Sequence, residues 1–341
     1  MICVVIPCYN CQDTLRRAVD SIINQKNERW KMILVNDGST DDTKKICEEY
    51  AQKDNRIITV EQNNKGLMNA WKKGVYSSEE EYISFCDSDD YYDNDFIDRI
   101  EAVLKDSDYD IIAFGIELDY DDGRKELGFN DYSGAFRKAE INNEILPALF
   151  PDKYQGKWAI MQTRVTKVYS HRLLDKIMPD LPDEVSQGED NLTVFAALLN
   201  AESIYILNDY APYHYVRNDL SMIGRYDSRW YEKLELLNRE LLNLAAKYQY
   251  GHTNDLRMDH VANTLIYLKK DITRSGKSVK ELVEMMKVLR GKREFIESVN
   301  KIDLGRLSFK MRLFAGLYIN RMYRILIFIV KLSAFMGAGK P

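Results

Sequence analysis

In the first 116 residues, five short apolar, β-branched runs alternate with stretches of helical spacing. That alternation admits few folds other than a parallel sheet with helices packed on its faces. The expected strands are 2–6, 32–35, 57–60, 82–86 and 110–116. Residues 13–25 place Leu15, Ala18, Val19, Ile22 and Ile23 on one helical face, and Thr40 or Asp41 can cap a helix running to about Tyr50. In sheets of this kind, ligands collect at the carboxyl ends of the strands, where loops can vary without disturbing the core. Three polar loops fall there: 7–10, 36–40 and 87–90.

The pattern then changes. Residues 118–131 are polar and glycine-containing, which fits a hairpin or loop, and the stretch up to Arg164 has no clean period. Residues 188–200 read as a helix with Leu192, Phe195, Ala196 and Leu199 at core spacing, followed by a strand near 203–207. From about Arg225 the period is helical through 230–248, 256–273 and 279–299. Three regions follow: an α/β domain over 1–225, a helical region over 226–300, and a tail over 301–341.

Composition bounds the function. With 45% hydrophobic and 30% charged residues, the chain can build a large core and is not a low-complexity polymer. A net charge of -5 argues against a dedicated nucleic-acid binder. The average conceals an asymmetry, because residues 301–341 hold eight basic side chains against one acid, Asp303, leaving -12 on the first 300 residues. Five cysteines, all within the first 86 residues, do not resemble a secreted disulfide framework and point to a reducing cytosol. Cys8 and Cys11 form a C-x-x-C, but no second pair completes a zinc site. The N-terminus begins at once as a strand, with no basic leader.

Asp87, Ser88, Asp89 and Asp90 follow the apolar run 82–86. Three acids in four residues repel one another unless a cation lies between them, and a hard divalent ion with diphosphate oxygens meets that need. Capping of a helix starting near Asn94 would use only one acid. Asp37, in a second acidic loop, can accept hydrogen bonds from a base or ribose, although an ordinary turn and cap explains it equally. Glu189 and Asp190 open a helix, where the dipole alone favours acids.

Taken in order, Val5-Ile6-Pro7-Cys8-Tyr9-Asn10, Val35-Asn36-Asp37-Gly38-Ser39-Thr40-Asp41, Asn64-Lys65-Gly66, Phe85-Cys86-Asp87-Ser88-Asp89-Asp90 and Gly188-Glu189-Asp190 closely resemble the family 2 glycosyltransferases of the GT-A fold. The likeness covers about residues 1–220. It implies a Rossmann-like, mainly parallel central sheet with flanking helices, followed by a helical C-terminal region. It also implies roles for particular positions. Pro7 and Tyr9 would lie along the nucleotide, Asp37 would hold the uracil or ribose, and Asn64 and Ser88 would line the nucleotide-sugar site. Asp87 and Asp89 would hold a divalent metal, Mn²⁺ or Mg²⁺, against the donor diphosphate, and Asp190 would be the general base of an inverting transfer. The element Pro212-Tyr213-His214-Tyr215-Val216-Arg217-Asn218-Asp219-Leu220-Ser221 resembles one that follows the Glu-Asp motif in bacterial members, with Arg217 placed to reach the diphosphate and His214 to stand near the metal or acceptor. One position departs from the family, since Trp71 stands where an arginine commonly contacts the nucleotide; Lys72 or Lys73 can compensate.

The tail adds a further expectation. On a helical wheel, Lys310, Asn320, Arg321, Arg324 and Lys331 fall within an arc of about 100°, with Arg312 opposed, so 310–331 reads as one basic amphipathic helix too interrupted to span a bilayer. Such a helix can lie on an anionic membrane, at the inner face of the cell membrane, or pack on the protein or on a second subunit. The reading is an inverting, metal-dependent transfer of sugar from a UDP-sugar to a saccharide or lipid-linked saccharide in bacterial surface-glycan synthesis. The alternatives are a teichoic acid or protein acceptor with another donor, or a non-catalytic binder of nucleotide-sugar or glycan.

Overall fold

A computed structural model of the chain describes residues 1–150, 159–217 and 227–337. They form two compact units, one of residues 1–149 and 159–217 and the other of residue 150 together with residues 227–337. The boundary expected near residue 225 lies outside the described residues.

The first unit begins with β1 (Ile2–Cys8), α1 (Leu15–Ile23), β2 (Trp30–Asp37), α2 (Thr43–Lys53), β3 (Ile57–Gln62), α3 (Leu67–Tyr76) and β4 (Tyr82–Phe85). It continues through β5 (Tyr91–Tyr92), α4 (Phe96–Leu104), β6 (Ile111–Ala113), β7 (Ile116–Tyr120), β8 (Lys125–Gly128), β9 (Gly134–Arg137) and the single turn α5 (Lys138–Glu140). Next come β10 (Lys167–Ser170), α6 (His171–Ile177), α7 (Glu189–Asn200), β11 (Ser203–Ile206) and β12 (Tyr213–Arg217). The main sheet has the order β3-β2-β1-β4-β10-β6-β11-β9. Its strands β1 to β4 are mutually parallel, β10 runs antiparallel to both neighbours, and β9 is antiparallel to β11. A second sheet has the order β5-β12-β7-β8. The expected α/β architecture with a mainly parallel sheet is therefore present.

The physical reasons are local. All seven residues of β1 are buried, as a strand covered on both faces requires. Helix α1 turns Leu15, Ala18, Val19 and Ile22 to the core. Helix α3 approaches β1 closely at Gly74, where an added Cβ would stand 2.2 Å from Val5 Cγ1. The expected strand 110–116 is two strands, because the chain leaves the main sheet at Phe114 and Gly115 and enters the second as β7. Gly115 N–H donates to Tyr210 O at 2.7 Å, and a side chain there would meet Gly128 O at 2.6 Å. The polar stretch after residue 118 is the hairpin of β7 and β8.

The second unit contains α8 (Trp230–Lys247), α9 (Thr253–Arg274), α10 (Val279–Arg290), α11 (Arg293–Lys301), α12 (Phe309–Ile319) and α13 (Tyr323–Gly337). Two expected helices are each broken in two. The first, 279–299, stops at Arg290 with Gly291 as its cap. The second is the tail, where 310–331 is not a continuous helix: α12 ends in a left-handed turn in which Arg321 N–H donates to Tyr318 O (3.1 Å) and Met322 N–H donates to Leu317 O (2.8 Å). This is the Schellman pattern, with Arg321 at φ +60° in the place that usually holds glycine. A wheel drawn straight through residue 321 misplaces every side chain beyond it. Among the described residues, no helix is long and apolar enough to cross a membrane.

An L side chain in this left-handed position costs about 1–2 kcal/mol, against about 0.5–1 kcal/mol for the extra entropy of an unfolded glycine. Arg321→Gly is accordingly expected to raise unfolding stability by about 0.5–1 kcal/mol in urea denaturation. A loss of more than about 1 kcal/mol would mean that the turn is held by the arginine side chain.

Candidate active site

The loops after β1 and β2 are tied to each other. Asn10 N–H donates to Ser39 Oγ at 3.1 Å, Thr40 N–H donates to Asn10 Oδ1 at 2.8 Å, and Cys11 N–H donates to Thr43 Oγ1 at 2.9 Å. Asn10 lies at φ +48°, a backbone state that asparagine tolerates better than most residues. The N-cap of α2 is Asp42, without a side-chain cap bond, and not the expected Thr40 or Asp41; Asp41 Oδ1 instead accepts from Thr43 N–H in the turn before the helix. Asp37 is buried, and its carboxylate accepts three hydrogen bonds: from Gln62 Nε2 (2.8 Å), Lys65 N–H (2.8 Å) and Gly66 N–H (2.9 Å). In the structure it thus holds the 62–66 loop, with one acceptor position of the carboxylate left over. Gly38, at φ +71°, lets this loop come close, since a Cβ there would lie 2.7 Å from Asn64 N. Asn64 is exposed above it and Tyr9 is half-exposed at the mouth of β1.

Pro7 does not sit in the open loop. It is the buried sixth residue of β1, paired with Val35. Cys86 N–H donates to Val5 O, so odd-numbered residues of β1 face β4, and β4 ends at Phe85. Pro7 lacks a donor where the ladder has already stopped, which explains a proline within a central strand.

The acidic loop after β4 divides its work. Asp90 is buried and belongs to the framework: Tyr213 Oη donates to its Oδ2 at 2.6 Å, Val216 N–H donates to its Oδ1 at 2.9 Å, and burial, then Asp87, push its carboxyl up to about 8. Asp87 and Asp89 remain half-exposed, with Ser88 between them beside the Cys11 thiol. Arg17 donates to the Asp89 carbonyl, which ties the loop to α1. Burial pushes the Asp87 carboxyl up to about 7, with Arg164 opposing the rise and Asp190 and Asp89 adding to it.

Arg164 is the residue on which Asp87 and Asp190 converge. Its side chain is 1% exposed, and its guanidinium donates to Asp190 Oδ1 at 3.0 Å and to Asp87 Oδ1 at 3.3 Å. Burial works against its charge, but Asp190 and Asp87 outweigh burial and raise its pKa. The antiparallel direction of β10 puts it there. The amino end of β10 lies beside the carboxyl ends of β4 and β6, so the residue three before Lys167 meets the loop three after Ser84. Lys167, also fully buried, closes that corner by donating to Met161 O (2.5 Å), Thr163 O (2.8 Å) and Thr166 Oγ1 (3.2 Å). Asp190 is delivered from the other side, in the first turn of α7, which starts at Gly188 with φ +75°. Asp87, Glu189 and Asp190 therefore lie around one guanidinium, with Asp89 close to Asp87. This excess of negative charge is suited to a divalent cation.

The other expected residues are placed elsewhere. Arg217 does not join the acids: its guanidinium lies over the Tyr120 ring, 5.2 Å from the centroid, and donates to Tyr120 Oη at 3.3 Å. Ser221 lies outside the described residues. His214 is buried on the second sheet, stacked on Tyr91 with ring centroids 4.2 Å apart and with Nε2 3.0 Å from Asp93 Oδ1. With Glu117 and Asp119 it could offer ligands to an ion, but Lys125 already bridges those two acids. Trp71 is fully buried against Phe85, at 5.4 Å between centroids, and the Arg164 guanidinium lies 5.7 Å from its ring. A cation thus stands beside position 71, supplied from the turn before β10 and not from α3. Lys72 is not the substitute, because it donates to Leu181 O and pairs with Asp183 at 2.6 Å. Cys8 and Cys11 are buried free thiols, so the C-x-x-C forms no disulfide.

Removing Arg164 would leave two facing carboxylates without their buried counter-charge. Arg164→Met is expected to destabilise the fold by about 3 kcal/mol, the low end of the range for breaking a buried pair because both acids are partly exposed. Arg164→Lys should fall between, since an ammonium cannot span both acids with one planar fork. Urea denaturation measures both, and a loss below about 0.5 kcal/mol for Arg164→Met would deny it this role.

The model of a family described as glycosyl transferase family 2 matches residues 3–177. Among curated proteins, the chain is 28% identical to the glycosyltransferase GlyA of Streptococcus pneumoniae over 73% of its own length and 35% of GlyA, and 29% identical to EpsH of Bacillus subtilis over 67% of its own length and 64% of EpsH. It thus spans about a third of GlyA and somewhat under two thirds of EpsH. Among solved structures, residues 1–349 of Staphylococcus aureus TarS in complex with UDP-GlcNAc align with a TM-score of 0.65 at 20% identity, covering 98% of this chain and 92% of that one.

Proposed function

The chain belongs to glycosyl transferase family 2, and from that premise we propose that it is an inverting, metal-dependent enzyme moving a sugar from a UDP-sugar to a hydroxyl of a saccharide acceptor in bacterial surface-glycan synthesis. The observation that carries the proposal is the convergence of Asp87 and Asp190 on Arg164 at the carboxyl edge of the sheet, with Asp89 beside Asp87. The fold shared with a TarS structure that holds UDP-GlcNAc supports a uridine nucleotide.

In this reading the nucleotide lies against Tyr9 and the cradle formed by the 36–40 and 62–66 loops, with Asp37 fixing the cradle's shape. Asp89, with Asp87 beside it, holds a divalent ion, Mn²⁺ or Mg²⁺. When bound, that ion neutralises charge on the departing diphosphate. Asp190 takes the proton from the acceptor hydroxyl as its oxygen attacks the anomeric carbon from the face opposite the leaving group. Arg164 sets the position of the base, and its planar fork keeps Asp87 and Asp190 a fixed distance apart. A lipid-linked acceptor would be met at a membrane face, where residues 301–341 provide a peripheral contact.

A second acceptor class has its own support. TarS of Staphylococcus aureus, named a poly(ribitol-phosphate) β-N-acetylglucosaminyltransferase, is 26% identical over 70% of this chain and 40% of its own length. The hydroxyl of a polyol-phosphate polymer is therefore the rival to a saccharide hydroxyl, and the same base would serve either.

Asp190→Asn is expected to lower transfer by at least about 10²-fold while donor binding, read by titration calorimetry, stays within a factor of a few. Asp89→Ala is expected to abolish the metal-dependent part of turnover. Undiminished transfer by Asp190→Asn would remove the base assignment.

A further inference from the structure

The second unit carries a surface that the transfer chemistry does not use. Between residues 309 and 332, six large apolar side chains are exposed, from 41% at Leu313 to 80% at Phe309. On α13, Tyr323, Leu326, Ile327 and Val330 are buried, while Ile325, Phe328 and Leu332 follow one another at helical spacing on the opposite side. Arg324 and Lys331 flank that outer stripe. The helix is thus apolar on both faces, although only one has a partner among the described residues. A solvated helix should be polar on its outer side.

Beside this stripe, a cleft of about 660 Å³ is lined by Lys287, Arg290, Arg321 and Arg324 together with Met322 and Ile325. Lys287 pairs with Glu284 at 2.7 Å, and Arg290 Nε donates to Ile319 O at 3.2 Å. Among the described residues, no carboxylate pairs with Arg321 or Arg324. The sequence contains no acid after Asp303, so residues 304–341 offer none. Both arginines stand where backbone physics disfavours them. Arg321 occupies a left-handed position suited to glycine, and Arg324 lies in the first turn of α13, where the helix dipole repels a cation. Lys287 and Arg290, in the last turn of α10, are accounted for by that helix's own dipole; the two arginines are not.

We propose that this face docks on the surface of a bilayer containing anionic phospholipids. Ile325, Phe328 and Leu332 enter the boundary between headgroups and acyl chains, and the four-cation cleft receives headgroup phosphates. Charge complementarity selects the partner: apolar side chains alone would suit any hydrophobic surface, but the cations Arg321 and Arg324 bordering them, with no acid after Asp303, match an anionic interface. The surface deepens the membrane-face part of the reading above and does not depend on the transfer chemistry.

The test uses the full chain and sedimentation with vesicles of phosphatidylcholine alone or with phosphatidylglycerol added. The wild type is expected to bind the anionic vesicles at least tenfold more tightly than the neutral ones, and less tightly as salt rises. Arg321→Gly combined with Arg324→Gln should weaken that binding about 30-fold. Phe328→Ser should weaken it while leaving the salt dependence in place. Equal binding to both vesicle types, or variants that bind as wild type does, would overturn the proposal. So would a wild-type oligomer, measured by light scattering, that Phe328→Ser dissociates without any vesicle binding to lose; the face would then belong to a second copy of the chain. Nucleotide release to a soluble acceptor, measured on the same variants, should be unchanged, which separates failure of this surface from failure of the transfer reading.

Discussion

The pair of ion contacts made by Arg164 is the constraint around which the first unit is arranged. A guanidinium at 1% exposure is costly unless its charge is met, and here two acids from different parts of the chain meet it, Asp87 at 3.3 Å and Asp190 at 3.0 Å. Each contact needs its own scaffolding. Asp87 requires β4 to end at the sheet edge, Asp190 requires α7 to begin there, and Arg164 requires β10 to run against its neighbours. Trp71 and Phe85 fill the space around the guanidinium. A chain that misplaced any one of these would bury a charge without its partner.

The surrounding loops follow the same economy of backbone and side chain. Asn10 and Ser39 lock the first two loops together, and Asp37 folds the third against them through two backbone donors and Gln62. Asp90, in the middle of the acidic cluster, ties the cluster to β12 through Tyr213 and Val216. The result is a rim in which structural acids hold the position of acids left open to a ligand. Asp37 and Asp90 are buried and bonded to the framework, whereas Asp89 and Asp190 are half-exposed.

Much of this was legible in the sequence, and the remainder was hidden for identifiable reasons. Strands β1, β2 and β4 and helices α1 and α2 write their periods directly, because a strand covered on both faces must be continuously apolar and a surface helix must be amphipathic. The strand-end acids stand out because like charges seldom cluster without cause. Arg164 was invisible, since a single arginine after an aperiodic stretch does not reveal that the next strand runs backward. Pro7 was read as loop because proline usually marks one, and only the pairing of β1 shows that its missing donor costs nothing. Arg217 was assigned to the diphosphate by analogy, while a tyrosine on the neighbouring strand holds it instead. The tail misled for a different reason: no glycine announces the left-handed turn at Arg321, so two helices read as one.

The chain belongs to a glycosyltransferase family, and the charge balance of the rim supports the proposal built on that membership, a metal-dependent transfer from a UDP-sugar. The most direct measurement is release of free nucleotide from a panel of UDP-, GDP- and other nucleotide-sugars by the full chain, with Mn²⁺ or Mg²⁺ and again in chelator. The account predicts turnover of a UDP-sugar that depends on the added metal. Equal turnover in chelator, or turnover confined to a donor other than a UDP-sugar, would contradict it.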